Sequence, residues 1–318
     1  MQANIKVRRF NPETPSKEAH YQEFSVDVHE SSSVLDALIK VREEVDGTLA
    51  LRCSCRASIC GSCSMRVNGQ ATLVCKTRLE EVAPNGEQIT IDPMGNMPVI
   101  KDLVVDMKLH WDKVRAVDPY LRPGGPEPDG EYIAPNEAME HLVGVMNCIM
   151  CGACVSDCTA LEVDENFTGP AALAKAYRFV ADPRDDTTHE RLGKLNEYPH
   201  IWDCTRCYYC VEVCPKDVAP MDRIMKMRDM AIEDGYTNTP GYRHTESFVS
   251  SVRKHGRLDE SRLAVDSVGW TNLPGLLDLA PVGLKALRKG KLPPIIPHKA
   301  EDHKQIRKIV DKLEDEAK

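Results

Sequence analysis

The cysteines constrain this chain more than any other feature. There are thirteen, and twelve of them fall into three groups of fixed spacing. The first is Cys55-x4-Cys60-x2-Cys63, followed after eleven intervening residues by Cys75. The second is Cys148-x2-Cys151-x2-Cys154-x3-Cys158, and the third Cys204-x2-Cys207-x2-Cys210-x3-Cys214-Pro215. An odd total, behind an N-terminus (Met1–Phe10) without an apolar leader, fits poorly with a secreted disulfide scaffold.

The x4-x2 spacing is that of a plant-type [2Fe–2S] site. Cys55, Cys60 and Cys63 would hold one side and Cys75 would close it from a later strand. Gly61 and the small Ala57, Ser58 and Ser62 leave room for backbone N–H groups near the sulfurs. Zinc is the alternative, but its sites favour short paired spacings. The other two groups are bacterial-ferredoxin runs, in which the fourth cysteine serves the other cluster. That rule gives Cys148, Cys151 and Cys154 with Cys214 to a first [4Fe–4S] cluster. Cys204, Cys207 and Cys210 with Cys158 go to a second. The exchange ties two distant segments together, so the clusters would also hold the fold. Cys53 is left over and reads as a small buried thiol beside the first loop.

The fold class expected is α+β: a strand-rich N-terminal domain, then an all-α two-cluster domain. Ile5–Phe10 and Tyr21–Val28 alternate as strands, and Val34–Glu43 reads as a short helix behind Ser31-Ser-Ser33. Met65–Val67 and Ala71–Cys75 read as a hairpin turning at Asn68-Gly69, with Ile89–Ile91 a last strand. These elements resemble a β-grasp ferredoxin over residues 1–105. Pro98–Val117 reads as a connecting helix, and 122–130 is a linker by composition, so 106–134 joins the domains. The helical domain covers 135–235, with Pro170–Ala181 and Pro220–Glu233 its clearest helices, each opening on proline. The cysteine-free extension 236–318 includes Asn272–Leu287, apolar and broken by glycine and proline. It is too apolar to hang free, and is expected against a partner or packed back on its own domain.

Formal net charge is −8, which argues against nucleic-acid binding. No stretch approaches the ~20 apolar residues of a membrane span, and no secretory signal is legible, so a cytoplasmic protein is expected. None of the ten histidines has metal-ligand spacing, and His141, His200 and His244 read as surface or packing residues. There is no GxGxxG after a strand and no P-loop, so no nucleotide-binding motif is legible. Arg52, Arg56, Arg66, Lys76 and Arg78 near the first group, and Arg206, Lys216 and Arg223 near the third, read as surface cations or as charges offsetting thiolates.

With these residues laid out, the chain resembles the iron–sulfur subunit of succinate dehydrogenase and fumarate reductase. The resemblance covers 1–235 and rests on Cys55–Cys63, Asp203–Pro215 and Pro98-Val-Ile-Lys-Asp-Leu-Val-Val-Asp106. It implies electron relay between the FAD of a flavoprotein subunit and a quinone-reactive membrane anchor, at the cytoplasmic side of the membrane, with no substrate site on this chain. Common members carry a [3Fe–4S] third centre and a non-cysteine where Cys207 stands. Cys207 here implies a second [4Fe–4S] cluster, with [3Fe–4S] the alternative. Common members also follow the first run with Pro and Trp that help line a quinone pocket, whereas this chain has Thr159-Ala-Leu-Glu162. Both departures resemble the variant complexes whose anchor is a cysteine-rich subunit akin to heterodisulfide reductase. Other readings are the iron–sulfur subunit of another flavoprotein, such as a glycolate-type oxidase or thiol-linked fumarate reductase, or a free multi-cluster ferredoxin.

Overall fold

The computed structural model describes residues 1–14, 16, 18–294 and 296–316. They divide into two compact units, Met1–Met230 and Ala231–Lys318.

The first unit begins with β1 (Gln2–Arg9), β2 (His20–Asp27), β3 (Ser64–Val67), β4 (Gln70–Leu73) and β5 (Ile89–Asp92). They form one sheet in the order β2-β1-β5-β3-β4, with β1 and β5 parallel and the other pairs antiparallel. Alternation along β1 buries Ala3, Ile5 and Val7 against α1 (Val34–Lys40), whose Val34, Leu35, Ala37 and Leu38 complete the core. Each such Val, Leu or Ile side chain contributes about 1.5–3 kcal/mol on burial. The helix starts where Ser33 can cap it: Ser33 Oγ accepts from Asp36 N, and Asp36 Oδ2 accepts from Ser33 N. The β3–β4 hairpin turns on Asn68 and Gly69, at φ 49° and 86°, the positive pair that matches strand twist. α2 (Leu79–Val82) follows β4.

The helix expected over Pro98–Val117 forms only in its second half. The chain first makes a small hairpin, β6 (Val99–Lys101) and β7 (Val104–Val105), and then α3 (Lys108–Ala116). Asp102 is the reason. Its buried carboxylate accepts from Arg9 Nε at 3.1 Å, Phe10 N at 3.0 Å and Ala50 N at 2.9 Å. Those three donors hold it at a tight turn, with φ 46°, that a helix cannot include.

Residues 122–130 lack regular structure, as expected, but the connection is stapled down. Buried Arg191 donates to the carbonyls of Val117, Asp118 and Tyr120 and ion-pairs with Asp185 at 3.0 Å. Asp185 also accepts from Arg122 N.

Beyond it come α4 (Asn136–Met139), α5 (Ala153–Ser156), α6 (Thr159–Val163), α7 (Pro170–Val180), α8 (Thr188–Leu195), α9 (Tyr209–Glu212) and α10 (Pro220–Glu233). α7 is the buried axis, packed on α3, α5 and α8, with Leu173 and Tyr177 enclosed. The division between the units falls inside α10.

The second unit continues with α11 (Pro240–His255), α12 (Glu260–Val268), α13 (Leu273–Arg288) and α14 (His303–Glu316). α11 packs against α12 and α14, and Arg253 ion-pairs with Asp311 and Glu314. The break expected in Asn272–Leu287 does not occur: α13 runs through Pro281. Leu273, Leu277, Ala280, Leu284 and Leu287 all lie exposed along it, spaced four and three residues apart. Among the described residues no helix is long and apolar enough to cross a membrane.

Candidate iron–sulfur centres

Backbone conformation shapes the first cysteine loop. Arg56, Ser58 and Gly61 take positive φ of 54°, 57° and 71°, coiling the chain so that its N–H groups turn inward. Cys55 Sγ accepts from Ala57 N and Ile59 N, both at 3.4 Å, and from Cys60 N at 3.3 Å. Ser58 N donates to Cys75 Sγ at 3.3 Å. Cys75 itself lies just past β4, and Cys63 is buried in front of it. Burial pushes the Cys63 thiol up to about 12. Exposed Cys60 goes the other way, to about 6, chiefly through its hydrogen bond with the Ser62 hydroxyl. Cys53 is half-buried and packs against the sheet core.

The two later loops share one backbone. Met150 and Gly152, two and four residues after Cys148, have φ of 56° and 82°, and Arg206 and Tyr208, two and four residues after Cys204, have 58° and 74°. In each loop the cysteines therefore present themselves in the same way, although only Gly152 announces the conformation in its side chain.

Cys148, Cys151 and Cys154 line a common cavity with Cys214, walled by Ala171 and Ala174. Burial pushes the first three thiols up, Cys154 well above its ordinary value, and charge repulsion from Cys214 adds to it at all three. Val218 N donates to Cys214 Sγ at 3.4 Å. Cys158 is drawn to the other run: burial raises it, and Cys204 and Cys207 act on it by charge. Cys210 is pushed up to about 12 by burial, then by Cys204, Cys158 and Cys207. Burial pushes Cys207 up as well, but hydrogen bonds with Thr159 and Tyr209 outweigh it and leave the thiol lowered. The structure thus gathers Cys148, Cys151, Cys154 and Cys214 around one cavity, and sets Cys158 within electrostatic reach of Cys204, Cys207 and Cys210.

The quartets also adjoin one another. A Cβ added at Gly61 would stand 2.7 Å from Cys151 Cβ and 2.9 Å from its Cα, so the first loop touches the second run backbone to backbone. Cys154 lies within charge repulsion of Cys210.

The donor chemistry fits iron–sulfur clusters. Buried thiols with raised values do not stay ionised side by side without cationic metal, and N–H groups aimed at sulfur suit thiolate ligands. Among the described residues no three His, Cys, Asp or Glu side chains close around a single ion, whereas four thiols line one cavity.

Several cations named from sequence have other duties. Arg66 ion-pairs with Asp157 at 3.3 Å, Arg78 with Glu80 at 3.0 Å, and Arg223 donates to the carbonyls of Val143 and Val218. His141 and His244 are exposed and His200 is hydrogen-bonded to Thr168. Several buried ionisable groups escaped the sequence reading, His110, Arg9, Arg191 and Arg228 among them. Nothing in their spacing marks them.

Residues 4–112 match the 2Fe-2S iron-sulfur cluster binding domain family, and residues 144–218 match the 4Fe-4S dicluster domain family. Among solved structures the chain is similar to one in the Mycobacterium smegmatis Sdh1 complex in the apo form. The two are 27% identical with a TM-score of 0.63, and the match covers 74% of this chain and 97% of that one. A hypothetical protein from Helicobacter pylori is 13% identical at a TM-score of 0.47, over 79% of this chain and 43% of that one. With an α+β fold, two such domains in series and thiols gathered as described, the chain is an iron–sulfur electron-transfer protein.

Proposed function

We propose that this chain is the iron–sulfur subunit of a succinate dehydrogenase or fumarate reductase, relaying electrons between the FAD of a flavoprotein subunit and a membrane anchor that reacts with quinone. The observation that supports the reading is the contact of Gly61 with Cys151, continued by the packing of α5, which carries Cys154, on α9, which carries Cys210; clusters held at these cysteines would stand in series. A freely diffusing carrier has no use for such a series. Similarity to a chain of the Mycobacterium smegmatis Sdh1 complex supports the choice of substrate pair.

Cys55, Cys60, Cys63 and Cys75 would hold a [2Fe–2S] cluster. Cys148, Cys151, Cys154 and Cys214 would hold a [4Fe–4S] cluster, and Cys204, Cys207, Cys210 and Cys158 a second one. Bound clusters supply reversible one-electron carriage at each quartet. The chain's own part is to hold the thiols, aim N–H groups at them and keep the three quartets close. Cys207, with Thr159 hydrogen-bonded to it where common members have proline, favours the variant complexes with a cysteine-rich anchor. The subunit would sit peripherally on the cytoplasmic side of the membrane. The exposed leucine row of α13 is a surface such partners would cover.

The test is anaerobic affinity purification of the chain from its native membranes, with mass spectrometry of what accompanies it. A flavoprotein and succinate-dependent dye reduction are expected, and the anchor's sequence identifies the variant. A flavoprotein inactive with both succinate and fumarate would overturn the assignment.

A further inference from the structure

Three arginines are buried in the first unit: Arg9 at 8%, Arg191 at 6% and Arg228 at 4% exposure. A buried cation costs several kcal/mol unless it is paired and hydrogen-bonded. Two of the three meet that demand with carboxylates, Arg9 with Asp46 and Asp102, and Arg191 with Asp185. Arg228, the most buried, has no ion pair among the described residues. Its Nε donates to Ile201 O and its Nη2 to Cys204 O, both at 2.9 Å, and the guanidinium lies 4.9 Å from the centre of the Trp202 ring. Asp203 and Asp229 attract it by charge, and Arg206, of like charge, opposes them.

Neutral carbonyls and an aromatic face orient a guanidinium without giving it an ion pair. Cys204, whose carbonyl Arg228 grips, acts on it by charge more strongly than Asp203 or Asp229 does, and Cys204 opens the second ferredoxin run. We infer that Arg228 is the counter-charge of the anion held by Cys204, Cys207, Cys210 and Cys158, and that it raises the reduction potential there. The inference rests on the cluster assignment made above. Uptake of one electron at this quartet changes no bond and adds one negative charge, so a fixed cation beside it favours the reduced form. Its low exposure keeps water and salt from screening the effect.

A redox titration of the intact, anaerobically purified chain, followed by EPR of the reduced clusters, tests this. Arg228→Gln is expected to make electron uptake about tenfold less favourable at one [4Fe–4S] signal, ~59 mV more negative, with the other two signals unmoved. Arg228→Lys, which keeps the charge but not the two carbonyl bonds, is expected to stay with the parent protein. Unchanged midpoints in Arg228→Gln at full iron content would overturn the inference. So would a Lys variant that shifts as far as the Gln variant. If Arg228→Gln does not load iron, Arg228→Lys decides alone: a retained midpoint supports the charge role and a lowered one sinks it. Absence of a second [4Fe–4S] signal in the parent protein would instead refute the cluster assignment, a separate failure.

Discussion

Tyr208 sits at φ 74° in the place that Gly152 occupies in the sister loop. Side chains with a Cβ pay about 1–2 kcal/mol for that conformation. Tyr208→Gly should therefore stabilise the loaded chain by up to about 1 kcal/mol, after the extra freedom that glycine gives the unfolded chain. Denaturant midpoints would show it, and a destabilised variant would mean that the ring makes compensating contacts. His110 is the second outlier. Its Nε2 is buried without a hydrogen-bond partner among the described residues, and burial lowers its value from 6.5 to about 4. The unfolded chain takes up the proton first, so stability falls as pH drops from about 6.5 towards 4 and levels off beneath. The gap corresponds to roughly 3 kcal/mol. His110→Phe should flatten this fall, judged against the parent protein at each pH; parallel curves would refute it. At this scale the cysteine groups stood out in the sequence because cluster chemistry favours fixed spacings. Tyr208, His110 and Arg228 did not, since strain and burial arise from neighbours distant in sequence.

Among the elements, those with a local signal were readable. The Ser33 cap announced α1, Asn68-Gly69 announced its hairpin, and Pro170 and Pro220 opened α7 and α10. The hairpin of β6 and β7 was not, because the residues that force it, Arg9 and Ala50, lie far upstream of Asp102. The restraint on the connection after α3 was hidden for the same reason: composition marks a linker, and the residue that ties it down, Arg191, lies far downstream. Arg191→Ala would leave Asp185, a carboxylate with 0% side-chain exposure, without its partner. Removing one side of a buried pair costs about 3–5 kcal/mol. The variant should melt well below the parent protein and be cut by protease within 117–135. A variant of parental stability and resistance would show that the connection is held elsewhere.

For the whole molecule, the ligand count makes a direct claim. With Cys207 as a ligand the third centre is [4Fe–4S], so the protein as isolated, oxidised, should give no strong EPR signal, and reduction should bring signals up. A strong signal before reduction would indicate [3Fe–4S] and remove Cys207 from the ligand set. The order of the two domains was plain in the sequence; the contact between Gly61 and Cys151 was not, because it is a meeting of backbones that no side chain advertises. The exchange of Cys158 and Cys214 proposed for the two later runs would carry a further consequence, for repair rather than for conduction. Each run would lend the other its last sulfur, so neither cage could be emptied without loosening its neighbour. Oxidative damage at the more open rim, where Cys207 is exposed, would spread to the sheltered centre. A cell would meet intact and ruined copies far more often than half-mended ones, and its cluster-building machinery would have to fill both cages in one campaign.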